Sequence, residues 1–259
     1  MFLDTNLRKR IKAREVTLGS WITIGHPNVA EILANAGFDW LVIDIEHNPI
    51  DPAMVQTLIT TIQSKGVKAI VRVSKNEEVV IKQVLDAGAD GIIVPMVCSK
   101  EDAIQAVNYA KYPPIGKRGV GLARAQQYGR HFDAYKQWVA EGLFVIAQIE
   151  HIDGINNLED IIGVEGIDGT IIGPYDLSGS MGMPGEFEKP IVKDALKRYI
   201  DACKKHNFPM GFHVVDARPE KIQEKIEEGY SFIAYGTDFL FMGETARDGM
   251  NKLREITAK

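Results

Sequence analysis

The chain has 259 residues, 45% hydrophobic and 25% charged, with a formal net charge of -5. That length fits one α/β core of the (β/α)8 size, and the composition is that of an ordinary folded chain rather than a disordered one. An acidic balance with no basic stripe excludes nucleic acid or an anionic membrane surface as the main partner, and no apolar run approaches the ~20 residues of a membrane span.

The first 21 residues are charged and hold no apolar stretch of a secretory signal. A cytoplasmic protein is the expectation, with Cys98 and Cys203 as reduced thiols. In chain order, β-branched runs predict strands at 18–24 and 40–46, then a helix over Pro52–Ser64 with Asp51 as N-cap and proline at its first position. A strand follows at 69–73. The helix at 77–87 places Val80, Val84 and Ala87 on one stripe and stops at Gly88. Next come a strand at 91–96, a helix at 103–110, strands at 143–150 and 169–173, and a helix at 192–205. A strand at 210–215, a helix at 220–228 ending at Gly229, a strand at 232–236 and a last helix after Phe239 complete the chain. Most strands are continuous apolar runs, as in a parallel sheet covered on both faces.

Eight strands alternating with helices predict a closed barrel or a doubly wound sheet. The near-repeats AGFDWLVID, AGADGIIVP and EGIDGTIIG suit a barrel of similar βα units, and no G-x-G-x-x-G follows the first strand. No linker or composition break appears, so one domain over residues 1–259 is expected. In a barrel, chemistry sits at the C-terminal strand ends. Strand two ends in Asp44-Ile45-Glu46-His47, strand three at Arg72, strand five in Gln148-Ile149-Glu150, and strand six leads to Gly173-Pro174-Tyr175-Asp176. Glu150 and Asp176 are hard oxygen donors on neighbouring strands, suited to a divalent ion, or else cap helices or pair at the surface. Arg72 carries a donor fork for an enolate or carboxylate, or forms a structural salt bridge. His47 has the proton affinity for acid–base work near neutral pH. Asp44 and Asp86 could orient its imidazole, although Asp86, at a helix end before Gly88, reads from pattern alone as solvent-exposed. Gly116–Gly121 reads as a flexible loop, and Arg118 and Arg124 could meet an anionic substrate.

The blocks Asp44-Ile45-Glu46-His47-Asn48-Pro49, Val71-Arg72, 81–89, Pro95-Met96-Val97 and Tyr112-Pro113-Pro114 with 116–121 occur in order. They are followed by Gln148-Ile149-Glu150, 164–169 and 172–178. Together, over about residues 18–238, they resemble the HpcH/HpaI aldolase family, class II pyruvate aldolases acting on 4-hydroxy-2-oxo acids and 2-dehydro-3-deoxy sugar acids. The resemblance implies a (β/α)8 TIM barrel that binds Mg²⁺, Mn²⁺ or Co²⁺ through Glu150 and Asp176. It implies substrate contacts from Gln148 and from backbone amides at Tyr175 and Asp176. Arg72 would stabilise the enolate, His47 would accept a proton and Asp86 would raise its basicity. It also implies a homohexamer with exchanged C-terminal helices, a role the helix after Phe239 could fill. The reaction is then cleavage of a 2-oxo acid to pyruvate and an aldehyde, or the reverse.

Three residues depart from the family's usual pattern. Tyr175 stands where a small residue is common, and His26 and His213 stand where apolar or small ones are. Each histidine either touches the aldehyde partner or packs under a loop. Rival readings are a Schiff-base aldolase using Lys75, a decarboxylase or citramalyl-type lyase on the same pyruvate site, and a non-catalytic barrel that binds 2-oxo acids.

Overall fold

The continuous apolar runs become strands because both of their faces are covered, by the barrel interior on one side and by helices on the other. The computed structural model describes residues 4–216 and 218–258. Eight strands are present: β1 (Thr17–Ile22), β2 (Trp40–Asp44), β3 (Lys68–Arg72), β4 (Gly91–Val94), β5 (Phe144–Ile149), β6 (Gly169–Ile172), β7 (Met210–Val214) and β8 (Phe232–Thr237). All neighbours are parallel, and β8 pairs with β1 to close the barrel. Most strands end one or two residues before the sequence expectation.

The helices are α1 (Asn6–Lys12), α2 (Pro27–Ala34), α3 (Pro52–Ser64), α4 (Glu78–Asp86), α5 (Lys100–Ala110), α6 (Phe132–Glu141), α7 (Ile152–Asn156), α8 (Leu158–Ile162), α9 (Pro174–Ser180), α10 (Pro190–Lys205), α11 (Pro219–Glu228) and α12 (Asp238–Thr257). The Asp51 side chain caps α3 by accepting from Met54 N at 2.9 Å, as its position before Pro52 predicts. Helix α5 starts three residues earlier than expected, because Ser99 and Asp102 form a reciprocal capping box.

Two apolar cores result. The larger lies between strands and helices. The smaller fills the barrel with Trp21, Trp40, Val42, Ile70, Ile93, Phe144, Ile146, Ile171 and Phe232, while Leu7 and Ile11 of α1 join it. Trp40 stacks on Phe232 with centroids 4.1 Å apart. Gly19 makes room for it, since a Cβ there would lie 2.0 Å from the indole.

Strand period sets what reaches the mouth, since alternate residues share a face. The inward series Trp40, Val42 continues to Asp44, Ile70 continues to Arg72, and Ile146 continues to Gln148. In these three strands the apolar inward column therefore ends on a polar side chain at the C-terminal rim.

Helix α12 is poorly covered. Only Asp238, its first residue, is buried, while Phe239, Met242, Met250, Leu253 and Ile256 are each at least half exposed. Asp238 accepts from Thr23 N, Ile24 N and Thr23 Oγ1, at 2.8, 2.8 and 2.5 Å, and so ties this helix to the loop after β1. No described helix is long and apolar enough to cross a membrane.

Candidate active site

Arg72 is fixed before any ligand arrives. Its Nε and Nη2 each donate to Asp44 at 2.8 Å, and its guanidinium lies 4.5 Å over the Trp21 ring. Asp44 also accepts from Asn48 Nδ2 at 2.6 Å and from Glu46 N at 3.1 Å. Four donors on a buried carboxylate lock the guanidinium plane, as a bidentate pair does. Asp44 thus serves Arg72; the ring of His47 is not among its hydrogen-bond partners.

Arg72 Nη1 faces Glu46 Oε2 at 3.2 Å as an ion pair, yet no donor meets that oxygen with hydrogen-bond geometry. Burial pushes Glu46 up to about 7, Arg72 pulls it back, and the charges of Glu150, Asp44 and Asp176 add to the rise. Glu46 was visible in the strand-two motif but carried no role in the sequence reading.

Glu150 follows β5 and is buried. Met96 N donates to its Oε1 at 2.7 Å and Gln148 Nε2 donates to its Oε2. Met96 holds its amide there from a left-handed backbone, with φ of 52°, uncommon for a side-chain-bearing residue. Gly173 leaves the space, since a Cβ on it would lie 2.9 Å from Glu150 Cβ. Burial raises the Glu150 proton affinity, its two hydrogen bonds lower it, and Asp176 raises it again.

The chemistry of this donor set fits a divalent cation. Asp44, Glu46, Glu150 and Asp176 all act on the same charge balance, against the Arg72 guanidinium. No group of three or more His, Cys, Asp or Glu among the described residues could hold a metal by itself. Glu150 and Asp176 are the two carboxylates that would hold such an ion, with its further positions left to water and substrate oxygens, as in Mg²⁺-type sites.

A cavity of about 530 Å³ opens at this rim, walled by Trp21, Arg72, Gln148, Tyr175, Asp176 and His213 among others. Tyr175 lies in the first turn of α9 and is 63% exposed, with its ring meeting Phe187 edge-on at 4.9 Å. Phe187 has no sequence signal. It arrives because Ser178 Oγ accepts from Gly185 N at 3.0 Å, folding that loop back over α9.

His47 lies in the loop after β2, its side chain 62% exposed, with Glu46 Oε2 3.8 Å away. Asp86 is elsewhere. It ends α4 and leads into β4, at the N-terminal end of the barrel, so roughly a strand's length (~15 Å) separates it from the rim. It receives Arg118 Nη2 at 2.5 Å, and the fully buried Arg118 packs over Tyr112 and Tyr135. Arg124 joins the same end, donating to Ala87 O and Gln63 Oε1. Neither arginine faces the cavity, which corrects the expectation that they meet an anionic substrate. His26 is exposed and caps α2 by accepting from Asn28 N at 3.2 Å. Lys75 is 71% exposed and paired with Glu77 at 2.6 Å, the opposite of the dry pocket a Schiff-base lysine needs.

Fold and rim together define a parallel (β/α)8 barrel whose mouth sets buried carboxylates beside a fixed arginine. The family model for HpcH/HpaI aldolase/citrate lyase matches residues 17–242, and the chain belongs to that family. It is 38% identical to the 4-hydroxy-2-oxovalerate aldolase of Novosphingobium aromaticivorans, over 98% of this chain and 96% of that one. It is 36% identical to the 2-dehydro-3,6-dideoxy-6-sulfogluconate aldolase of Pseudomonas putida, over 92% of each. The crystal structure of an HpcH/HpaI aldolase/citrate lyase family protein from Burkholderia cenocepacia J2315 superposes with a TM-score of 0.91 at 31% identity, covering 97% of this chain and 100% of that one.

Proposed function

We propose that this chain is a metal-dependent aldolase that cleaves a 4-hydroxy-2-oxo acid, or a related 2-keto-3-deoxy sugar acid, to pyruvate and an aldehyde, reversibly. The observation that carries this reading is the buried Glu150 carboxylate, held by Met96 N and Gln148 and sharing its negative field with Asp176 at the rim where Arg72 stands. Relatives at 36–38% identity carry aldolase names, in accord with it.

In this reading Glu150 and Asp176 hold Mg²⁺, Mn²⁺ or Co²⁺. Such an ion supplies Lewis-acid polarisation of the 2-oxo group. The chain's own residues do the rest. Arg72, aimed by Asp44, presents a fixed positive charge to the oxygen where enolate charge develops. Gln148 uses the N–H not given to Glu150 to orient the 2-oxo acid. Backbone amides in the first turn of α9, around Tyr175 and Asp176, receive the carboxylate. His47, exposed in the loop after β2, takes the 4-hydroxyl proton as the C3–C4 bond breaks, and C3 of the enolate is then protonated to give pyruvate.

Asp86 can raise the basicity of His47 only if a second copy brings its N-terminal barrel end to this rim. The exposed apolar residues of α12 support a homo-oligomer, a hexamer in this reading, and a cytoplasmic location goes with it. The test is aldol addition of pyruvate to a panel of aldehydes with each divalent metal supplied, before and after chelation. Metal-dependent product without borohydride trapping is the expected result. Activity undiminished by EDTA would sink the reading. Oxaloacetate decarboxylation or citramalyl-type cleavage in place of aldol chemistry would replace it.

A further inference from the structure

His213 is placed by strand geometry at the reacting end of the cavity. It pairs in register with Ala234 of β8, which belongs to the barrel-interior cluster, so its ring points inward at the rim. It packs against Trp21 in a tilted arrangement, with centroids 5.2 Å apart and planes at 35°, and Trp21 lies under the Arg72 guanidinium. Both rings wall the cavity that holds Arg72 and Gln148.

The hydrogen bonding of this imidazole is one-sided. Nε2 lies 3.0 Å from the carbonyl oxygen of Gly236. A carbonyl only accepts, so Nε2 carries the hydrogen and Nδ1 is left as a bare lone pair. No donor among the described residues meets Nδ1. Burial lowers the imidazole's proton affinity to about 4, which keeps that lone pair free at neutral pH. In the neighbouring Trp21 ring, Nε1 is buried with no acceptor. A histidine kept for packing alone would gain nothing from an unused acceptor on a cavity wall.

We infer that His213 selects the aldehyde partner, its Nδ1 accepting a hydrogen bond from a hydroxyl group on that aldehyde. The acceptor class is then a short hydroxyaldehyde, rather than an unsubstituted or carboxylated one. A lone pair repels a carboxylate, and the nearby cations are already engaged: Arg72 with Asp44 and Glu46, Lys225 with Glu228, Lys221 with Glu224.

This inference rests on the aldolase reading, and the experiment separates the two. With pyruvate and a divalent metal, kcat/KM is measured for glycolaldehyde, acetaldehyde and succinic semialdehyde, in the parent chain and in His213→Leu and His213→Gln. Glycolaldehyde should lead in the parent. His213→Leu should cut its kcat/KM about tenfold, leave acetaldehyde within about twofold, and leave the KM for pyruvate unchanged. His213→Gln, which retains an acceptor oxygen, should recover part of the loss. Equal losses for glycolaldehyde and acetaldehyde, or a parent preference for either of the other aldehydes, overturn the inference and leave the aldolase reading intact. No product with any aldehyde overturns both. Should the variants fail to fold, ¹⁵N spectra of the parent decide: an unprotonated Nδ1 whose resonance moves on adding glycolaldehyde supports the assignment, and a protonated or unresponsive Nδ1 refutes it.

Discussion

Replacing Asp44 with asparagine removes one charge at nearly constant volume, and the structure states what is lost. Asp44 accepts four hydrogen bonds, two from Arg72 and one each from Asn48 Nδ2 and Glu46 N. An asparagine has one acceptor oxygen, so its NH₂ must face a donor at the other pair of positions. Breaking a buried ion pair by removing one partner costs about 3–5 kcal/mol. Arg72 retains Glu46 and the Trp21 face, which favours the lower end, about 3 kcal/mol. For a chain of this size, 1 kcal/mol corresponds to a Tm shift of about 2–4 °C, so Asp44→Asn should lower Tm by about 6–12 °C. A released guanidinium also loses its fixed aim, and a misplaced charge-stabilising donor typically costs about 10²–10³ in kcat. Thermal unfolding and aldol cleavage, measured on the same metal-loaded samples, check both numbers. A Tm within 2 °C of the parent together with undiminished kcat would refute the view that Asp44 positions Arg72.

The proposed action of Asp86 on His47 across two chains has an arithmetic signature. Co-refolding equal amounts of the inactive variants His47→Ala and Asp86→Ala should restore about a quarter of parent activity, since half of the histidines and half of the aspartates meeting at an interface are intact. No recovery would reduce Asp86 to its structural pairing with Arg118. Glu46 binds its proton more tightly in the folded chain than in the unfolded one, so its ionisation weakens the metal-free fold as pH climbs from 4.5 through about 7. A divalent ion favours the ionised site, so Mn²⁺ affinity by titration calorimetry should fall as pH drops from 8 to 6, and a flat profile would contradict this. Glu150→Gln should lower Mn²⁺ binding and aldol activity by more than about a hundredfold, read by Mn²⁺ paramagnetic resonance and turnover together. Retained metal affinity would remove Glu150 from the ligand set.

Local chemistry made the fold legible. Asp51-Pro52 marks the start of α3, Gly229 its counterpart at the end of α11, and uninterrupted apolar runs give strands of a covered parallel sheet. Period-two spacing also identifies the mouth, because Asp44, Arg72 and Gln148 each fall two residues beyond an inward apolar side chain. Partnership was hidden. The sequence offers both Asp44 and Asp86 as companions of His47, and only the closed barrel turns Asp44 onto Arg72 and puts Asp86 at the other end. Phe187 was unreadable for a related reason, since the turn that lays it against Tyr175 depends on one serine hydroxyl. His213 was noticed as an unusual residue, but its free nitrogen follows from the Gly236 carbonyl, a relation between two strands.

Asp238 joins two parts of the molecule that answer to different conditions. Its carboxylate pins the segment after β1 that leads to His26, while the helix it begins leaves most of its apolar side chains at least half exposed. If a second copy covers α12, the order of that helix becomes a matter of mass action. Dilution would then reach the rim through a single residue, and specific activity would fall with protein concentration before the barrel itself unfolds.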